Sequence, residues 1–237
     1  MPVRRPEIIH FPSPSCGPRR LGARPDMVVL HYTAMQSAEA ALQRLCDPEI
    51  EVSAHYLIGE TGQIWQMVDE EMRAWHAGAG QWGDVDDVNS RSIGIELANP
   101  ATHPFPEPQM VALEWLLGDI IHRRAIRPER VIGHSDMAPG RKSDPGGRFD
   151  WHRLALQNLS VWPASETKPD QSGGFLSDAV AFGYALPQNV DDPGAELLNV
   201  FRLRFRPWAL GPEDATDRQM IRDLATRFAV DRNAPNA

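Results

Sequence analysis

The chain has 237 residues, 42% of them hydrophobic, enough to bury a sizeable core in one domain or two. Its formal net charge of −8 argues against a general nucleic-acid or anionic-membrane binder, because those partners favour a basic face. Only Cys16 and Cys46 occur, so no disulfide framework is implied, and no apolar run reaches the ~18 residues of a membrane span.

Residues 1–26, rich in Pro and Arg, read as an extended lead-in without the apolar stretch of an export signal, which points to the cytoplasm. The run Met27-Val28-Val29-Leu30 ends in His31 and reads as a buried strand delivering a histidine at its tip. A helix follows over 37–45, with Cys46 as a small apolar filler. Residues 53–68 alternate around Glu60-Thr61-Gly62, a hairpin that carries His55. Next come the block Ala74-Trp75-His76-Ala77-Gly78 and a loop with Trp82, Asp84, Asp86 and Asp87 that would make part of a groove acidic. The alternation Ser92-Ile93-Gly94-Ile95-Glu96-Leu97 predicts a strand ending in one carboxylate. Helical spacing over 108–123 places Met110, Leu113, Leu116, Leu117, Ile120 and Ile121 on one inward stripe. Arg123, Arg124, Arg127 and Arg130 crowd the following stretch, where a solvated helix end explains them as well as an anionic ligand does.

The short run Arg130-Val131-Ile132 leads into Gly133-His134-Ser135-Asp136-Met137-Ala138-Pro139-Gly140-Arg141-Lys142-Ser143-Asp144-Pro145-Gly146. A turn so rich in Pro and Gly holds its polar groups at the rim of a β-element. A helix to about residue 159 closes this first domain, 27–160, and 161–174 reads as a linker. Three helical patterns follow over 175–186, 193–206 and 216–228, with apolar stripes at Leu197, Leu198, Phe201, Phe205 and at Ile221, Leu224, Ala225, Phe228. A bundle of this size has a thin core and is expected to dock on the first domain. Strands alternating with helices give an α/β fold class, a mixed central β-sheet flanked by helices, followed by a small all-helical C-terminal module, 175–237.

Two imidazoles and one carboxylate, His31, His134 and Asp144, make a set familiar for catalytic zinc, which takes three protein ligands and keeps a fourth position for water. Each also has an ordinary reading, the histidines as partly buried side chains and Asp144 as a turn residue before Pro145. Spacing alone does not decide between them, since no compact HExxH or CxxC signature is present. Glu96 fits a general base whose pKa partial burial would raise. Lys142 and Lys168 are the only lysines among 24 Lys plus Arg, so a lysine between His134 and Asp144 looks chosen. A compact ammonium can point at an oxyanion in a way that arginine cannot. His55, Trp75, His76, Arg91 and Arg141 are candidate substrate-binding residues, with core packing as the competing role for His76, Trp75 and Trp82.

His31 within VVLHYT, the stretch AWHAG, the strand SIGIEL and GHSDMAPGRKSDPG resemble, in the right order, the zinc-dependent N-acetylmuramoyl-L-alanine amidases of the type 2 family, the AmpD and AmiD group. The resemblance covers roughly residues 8–160. It implies that His31, His134 and Asp144 hold Zn2+, that Glu96 and Lys142 are the catalytic pair, and that peptidoglycan fragments are the substrates. The order and size of the C-terminal helices resemble the peptidoglycan-binding module that follows AmiD-type domains. Two other readings compete: a non-catalytic wall-recognition module of the same fold, and a purely structural zinc. Non-catalytic relatives commonly lose a metal ligand, whereas all three are present here. A structural site is usually closed by four ligands, which this set does not supply.

Overall fold

The computed structural model describes residues 6–164 and 174–230, so positions 165–173 of the expected linker, Lys168 among them, lie outside the described residues. In chain order the strands are β1 (Ile8–His10), β2 (Cys16–Pro18), β3 (Met27–Tyr32), β4 (Tyr56–Ile58), β5 (Ile64–Gln66), β6 (Met72–Ala74), β7 (Ser92–Leu97) and β8 (Val131–Gly133). The helices are α1 (Ala38–Leu45), α2 (Val88–Arg91), α3 (Glu107–Arg124), α4 (His134–Met137), α5 (Trp151–Ala155), α6 (Phe175–Phe182), α7 (Pro193–Phe205) and α8 (Ala215–Arg227).

Six strands form one sheet in the order β1-β5-β4-β7-β3-β8, parallel at every pairing except the β4–β5 hairpin. This is the mixed central sheet expected from sequence. Unbroken apolar runs such as Met27-Val28-Val29-Leu30 suit a central parallel strand, because both faces of such a strand are covered. Alternation then sorts the side chains. Val28 and Leu30 of β3, with Ile93, Ile95 and Leu97 of β7, face α3 through Met110, Leu113, Leu116, Leu117 and Ile120. Helix α3 runs as its periodicity predicts, with Pro108 in its first turn and His122, Arg123 and Arg124 in its last.

The opposite face is shared. Helix α1 packs through Ala41, Leu42 and Leu45 near Leu57 and Trp65. Met27, Val29 and Ile132 instead join one core with Phe182 of α6, Leu197, Phe201 and Phe205 of α7, and Ile221 and Leu224 of α8. The C-terminal helices therefore bury the sheet itself, not only one another. Trp82 is fully buried edge-on against Phe182 and Tyr184, so it belongs to this core and not to a groove.

Residues 6–26 depart from the extended lead-in. Ile8 and Ile9 give β1 enough apolar character to extend the sheet edge beside β5, and β2 pairs antiparallel with β6. Arg19 is buried, and its guanidinium donates to the carbonyls of Glu70, Ser90 and Ser92. The crowded arginines are likewise accounted for by ion pairs: Arg123 and Arg124 with buried Glu70, Arg127 with Glu129, and Arg130 with Asp26. Among the described residues no helix is long and apolar enough to cross a membrane.

Candidate metal centre and active site

Three neighbouring parallel strands, β7, β3 and β8, point their C-terminal ends the same way, the edge where ligands bind in parallel sheets. Position 31 of β3 is in register with position 96 of β7, so His31 and Glu96 stand side by side on one face. β8 stops at Gly133, and His134 opens α4 immediately after it. A Cβ at Gly133 would sit 2.8 Å from Pro145 Cδ, so glycine is needed for the turn to fold back this tightly. The Ser135 amide donates to the Asp144 carbonyl at 2.9 Å, which brings Asp144 beside His134. The amides of Arg141 and Lys142 donate to the Ala138 carbonyl and turn Lys142 toward the cleft.

The result is a convergence of three buried side chains. Asp144 Oδ2 lies 2.9 Å from His31 Nδ1 and 3.1 Å from His134 Nδ1, and the two Nδ1 atoms are 3.0 Å apart. His134 Nε2 lies 2.9 Å from the Ala77 carbonyl, an acceptor, so that nitrogen carries a proton, and in the neutral ring, the form that ligates a metal, Nδ1 is bare. A bare Nδ1 facing a carboxylate oxygen is two acceptors facing one another. A cation between them resolves the conflict, so the donor set fits a metal ion, and these are the three residues whose ligand atoms cluster for one. Electrostatics agree: burial, then the neighbouring His134, lowers His31 to about 4. Burial alone would raise Asp144, but the attraction of the adjoining His134 and His31 rings for its ionised form outweighs it and holds the carboxyl well below the usual range.

Glu96 and Lys142 line the same cleft as the three ligands. Glu96 Oε2 is buried without a hydrogen-bond partner, an arrangement that carries a cost unless the group serves a bound ligand. Burial first, and the like charge of Asp144 second, push its carboxyl up to about 8, while Lys142 pulls the other way.

The five candidate substrate-binding residues separate. Trp75 and Arg141 line the cleft, and Arg141 also fastens the segment after His76 by donating to the carbonyls of Ala77 and Ala79. His76 touches the cleft but lies behind His31, its Nδ1 at 3.0 Å from His31 Nε2. His55 does not reach the cleft as a binding group. It is fully buried, its Nδ1 accepting from the Gly94 amide and its Nε2 donating to the Met72 carbonyl, and burial followed by the nearby Arg19 lowers it to about 3. Arg91 stands just before β7, at the far end of the strand from Glu96, and pairs with Asp26.

The acidic loop does not line the cleft either: Asp87 caps α2 and pairs with Arg73. Two contributors were missed in the sequence. Arg44, in the last turn of α1, lines the cleft and adds a cation there. Buried Asp136 accepts from the Gly133 amide, from Tyr184 Oη at 2.8 Å and from Arg204 Nη1 at 2.6 Å, tying the metal-binding turn to α7. An aspartate two residues after a candidate ligand was the available signal.

A family model described as N-acetylmuramoyl-L-alanine amidase matches residues 21–147. N-acetylmuramoyl-L-alanine amidase AmiD of Escherichia coli (strain K12) is 33% identical over 234 residues, 86% of this chain and 84% of that protein. A solved complex of E. coli AmiD with the substrate anhydro-N-acetylmuramic acid-L-Ala-D-gamma-Glu-L-Lys is similar with a TM-score of 0.78 at 31% identity, covering 89% of this chain and 92% of that one. AmpDh3 from Pseudomonas aeruginosa in complex with anhydromuramic pentapeptide gives a TM-score of 0.78 at 32% identity, covering 89% and 95%.

Proposed function

Since the chain belongs to the N-acetylmuramoyl-L-alanine amidase family, we propose that it hydrolyses the amide bond between N-acetylmuramic acid, or its anhydro form, and the L-alanine of the peptidoglycan stem peptide, in cell-wall turnover and recycling. Muropeptides are its partners. The observation that carries the reading is the convergence of His31, His134 and Asp144 beneath a cleft that also holds an unpartnered Glu96 and Lys142.

Two imidazoles and one carboxylate suit zinc as the metal. When bound, zinc supplies Lewis acidity, lowering the pKa of water and polarising a carbonyl. The remaining work falls to this chain's side chains. Glu96 takes the proton of the attacking water at Oε2 and returns it to the nitrogen of the leaving amine. Burial raises this carboxyl out of the ordinary range, toward one in which it can do both, and a cation held beside it would favour the ionised form that accepts the first proton. The Lys142 ammonium faces the oxyanion that develops on the scissile carbonyl. Arg44 at the rim suits a carboxylate of the stem peptide, which resolves the difficulty that an acidic groove would have posed. The non-catalytic alternative is disfavoured by the presence of all three ligands together with both catalytic candidates. We assign residues 6–164 to the catalytic unit and 174–230 to a helical segment that covers its sheet.

Purified protein loaded with zinc should release free stem peptide from anhydro-muropeptides, and whole sacculi assayed beside them decide the physiological substrate. Preference for the small fragment supports a cytoplasmic recycling role, and preference for sacculi an exported one. Glu96→Ala and Lys142→Ala should keep the metal yet slow turnover by about 10²-fold or more. Near-normal rates in either variant remove its assigned role.

A further inference from the structure

The Ser92 hydroxyl, on β7, donates to the Val88 carbonyl at 2.6 Å, so toward His76 its oxygen can only accept. His76 Nε2, 3.1 Å away, must therefore carry the proton. Neutral His76 then has a bare Nδ1, and this atom faces His31 Nε2 at 3.0 Å. The proton between them belongs to His31 Nε2, which leaves His31 Nδ1 bare and aimed at His134 and Asp144. Each link has one consistent direction. From these directions we propose that His76 is a positioning residue for the metal centre: through the chain Val88, Ser92, His76 it fixes His31 in the tautomer and orientation that ligate. This rests on the assignment of His31, His134 and Asp144 as metal ligands.

The surrounding residues fit this role. Ser92, Gly94 and Glu96 occupy the same face of β7 by alternation, and the His76 ring lies along it: a Cβ at Gly94 would sit 2.4 Å from His76 Cγ. Glycine there makes the room the ring needs. The amides of His76 and Ala77 both donate to the Oδ1 of buried Asn89, at 3.1 and 2.9 Å. One clamped dipeptide thus presents the acceptors for both histidine ligands, His76 Nδ1 for His31 and the Ala77 carbonyl for His134. Such outer partners orient a ligand and hold its tautomer.

The test measures zinc affinity, by competition with a chromophoric chelator, and the His31 tautomer, by long-range ¹⁵N–¹H NMR of the metal-free protein. Wild type should show the Nε2–H form of His31. His76→Phe keeps a ring but no acceptor, and Ser92→Ala removes the hydroxyl that orients His76. Both should lose about 10- to 100-fold in zinc affinity and show His31 in mixed tautomers. His76→Asn, whose Oδ1 stands near the position of Nδ1, should restore most of the affinity. Wild-type affinity with an unchanged His31 tautomer in His76→Phe and Ser92→Ala would overturn the proposal, as would a His76→Asn protein no better than His76→Phe. If His76→Phe does not fold, Ser92→Ala and His76→Asn decide by the same criteria. A wild-type protein that fails to bind zinc overturns the ligand assignment itself, and this inference with it.

Discussion

Glu96 carries a second, independent signature besides catalysis. Its carboxyl is raised from the ordinary 4.5 to about 8 by burial and by Asp144, so between those values the folded protein holds a proton that the unfolded chain has released. Stability from this group is complete below about pH 4.5 and is lost as pH rises toward 8. Metal-free wild type compared with Glu96→Gln by urea unfolding should therefore lose stability relative to the variant across that window. Parallel curves would remove the unpartnered, buried state from the account. At this scale the sequence was informative where a residue ends a run: His31 and Glu96 close apolar strands, and His134 and Asp144 sit on a Pro/Gly turn. It did not separate His55 from His76, because their roles depend on Gly94, Ser92 and Arg19, neighbours whose approach is set by tertiary packing.

The turn from Gly133 to Gly146 and helix α7 form one structural unit. Arg204 is buried under the turn, its guanidinium donating to Asp136, the Val131 carbonyl and Ser160, and lying 4.3 Å from the Trp151 ring centre. Arg204→Ala strands the buried Asp136 charge and should cost about 3–5 kcal/mol in denaturant unfolding, with weakened zinc binding as the turn loosens. A loss below about 1 kcal/mol would mean that Tyr184 and the Gly133 amide suffice for Asp136. Helical periodicity located α7 and its apolar stripe, yet Arg202 and Arg204 are buried too. A stripe analysis assigns arginines to solvent. Here one partners Asp217 and the other Asp136, pairings 15 and 68 residues apart in sequence that no local pattern contains.

Over the whole molecule, the sheet is covered by α3 on one face and divided between α1 and the C-terminal helices on the other, with the cleft at the strand ends between them. Covering β3 and β8 is what α6, α7 and α8 do, and the apolar area they shield includes Met27, Val29, Ile132 and Trp82. A chain ending at residue 164 should therefore aggregate or lose native near-UV dichroism, because that area would face water. A stable, zinc-binding shorter chain would instead make the helices an independent unit. The α/β class and the order of β3, α1, the β4–β5 hairpin, β7, α3 and the C-terminal helices were legible from period and turn chemistry, whereas β1, β2 and β6 were not. The shared core was not, since apolar stripes show that a helix is covered but not by what. The account as a whole is tested most directly by mass analysis of one anhydro-muropeptide after incubation with the zinc-loaded protein. It predicts two products, the anhydro-muramic acid fragment and a peptide with a free L-alanine amino terminus, both released about 10²-fold or more slowly by Glu96→Gln. Intact substrate, or cleavage at any other bond, would contradict it.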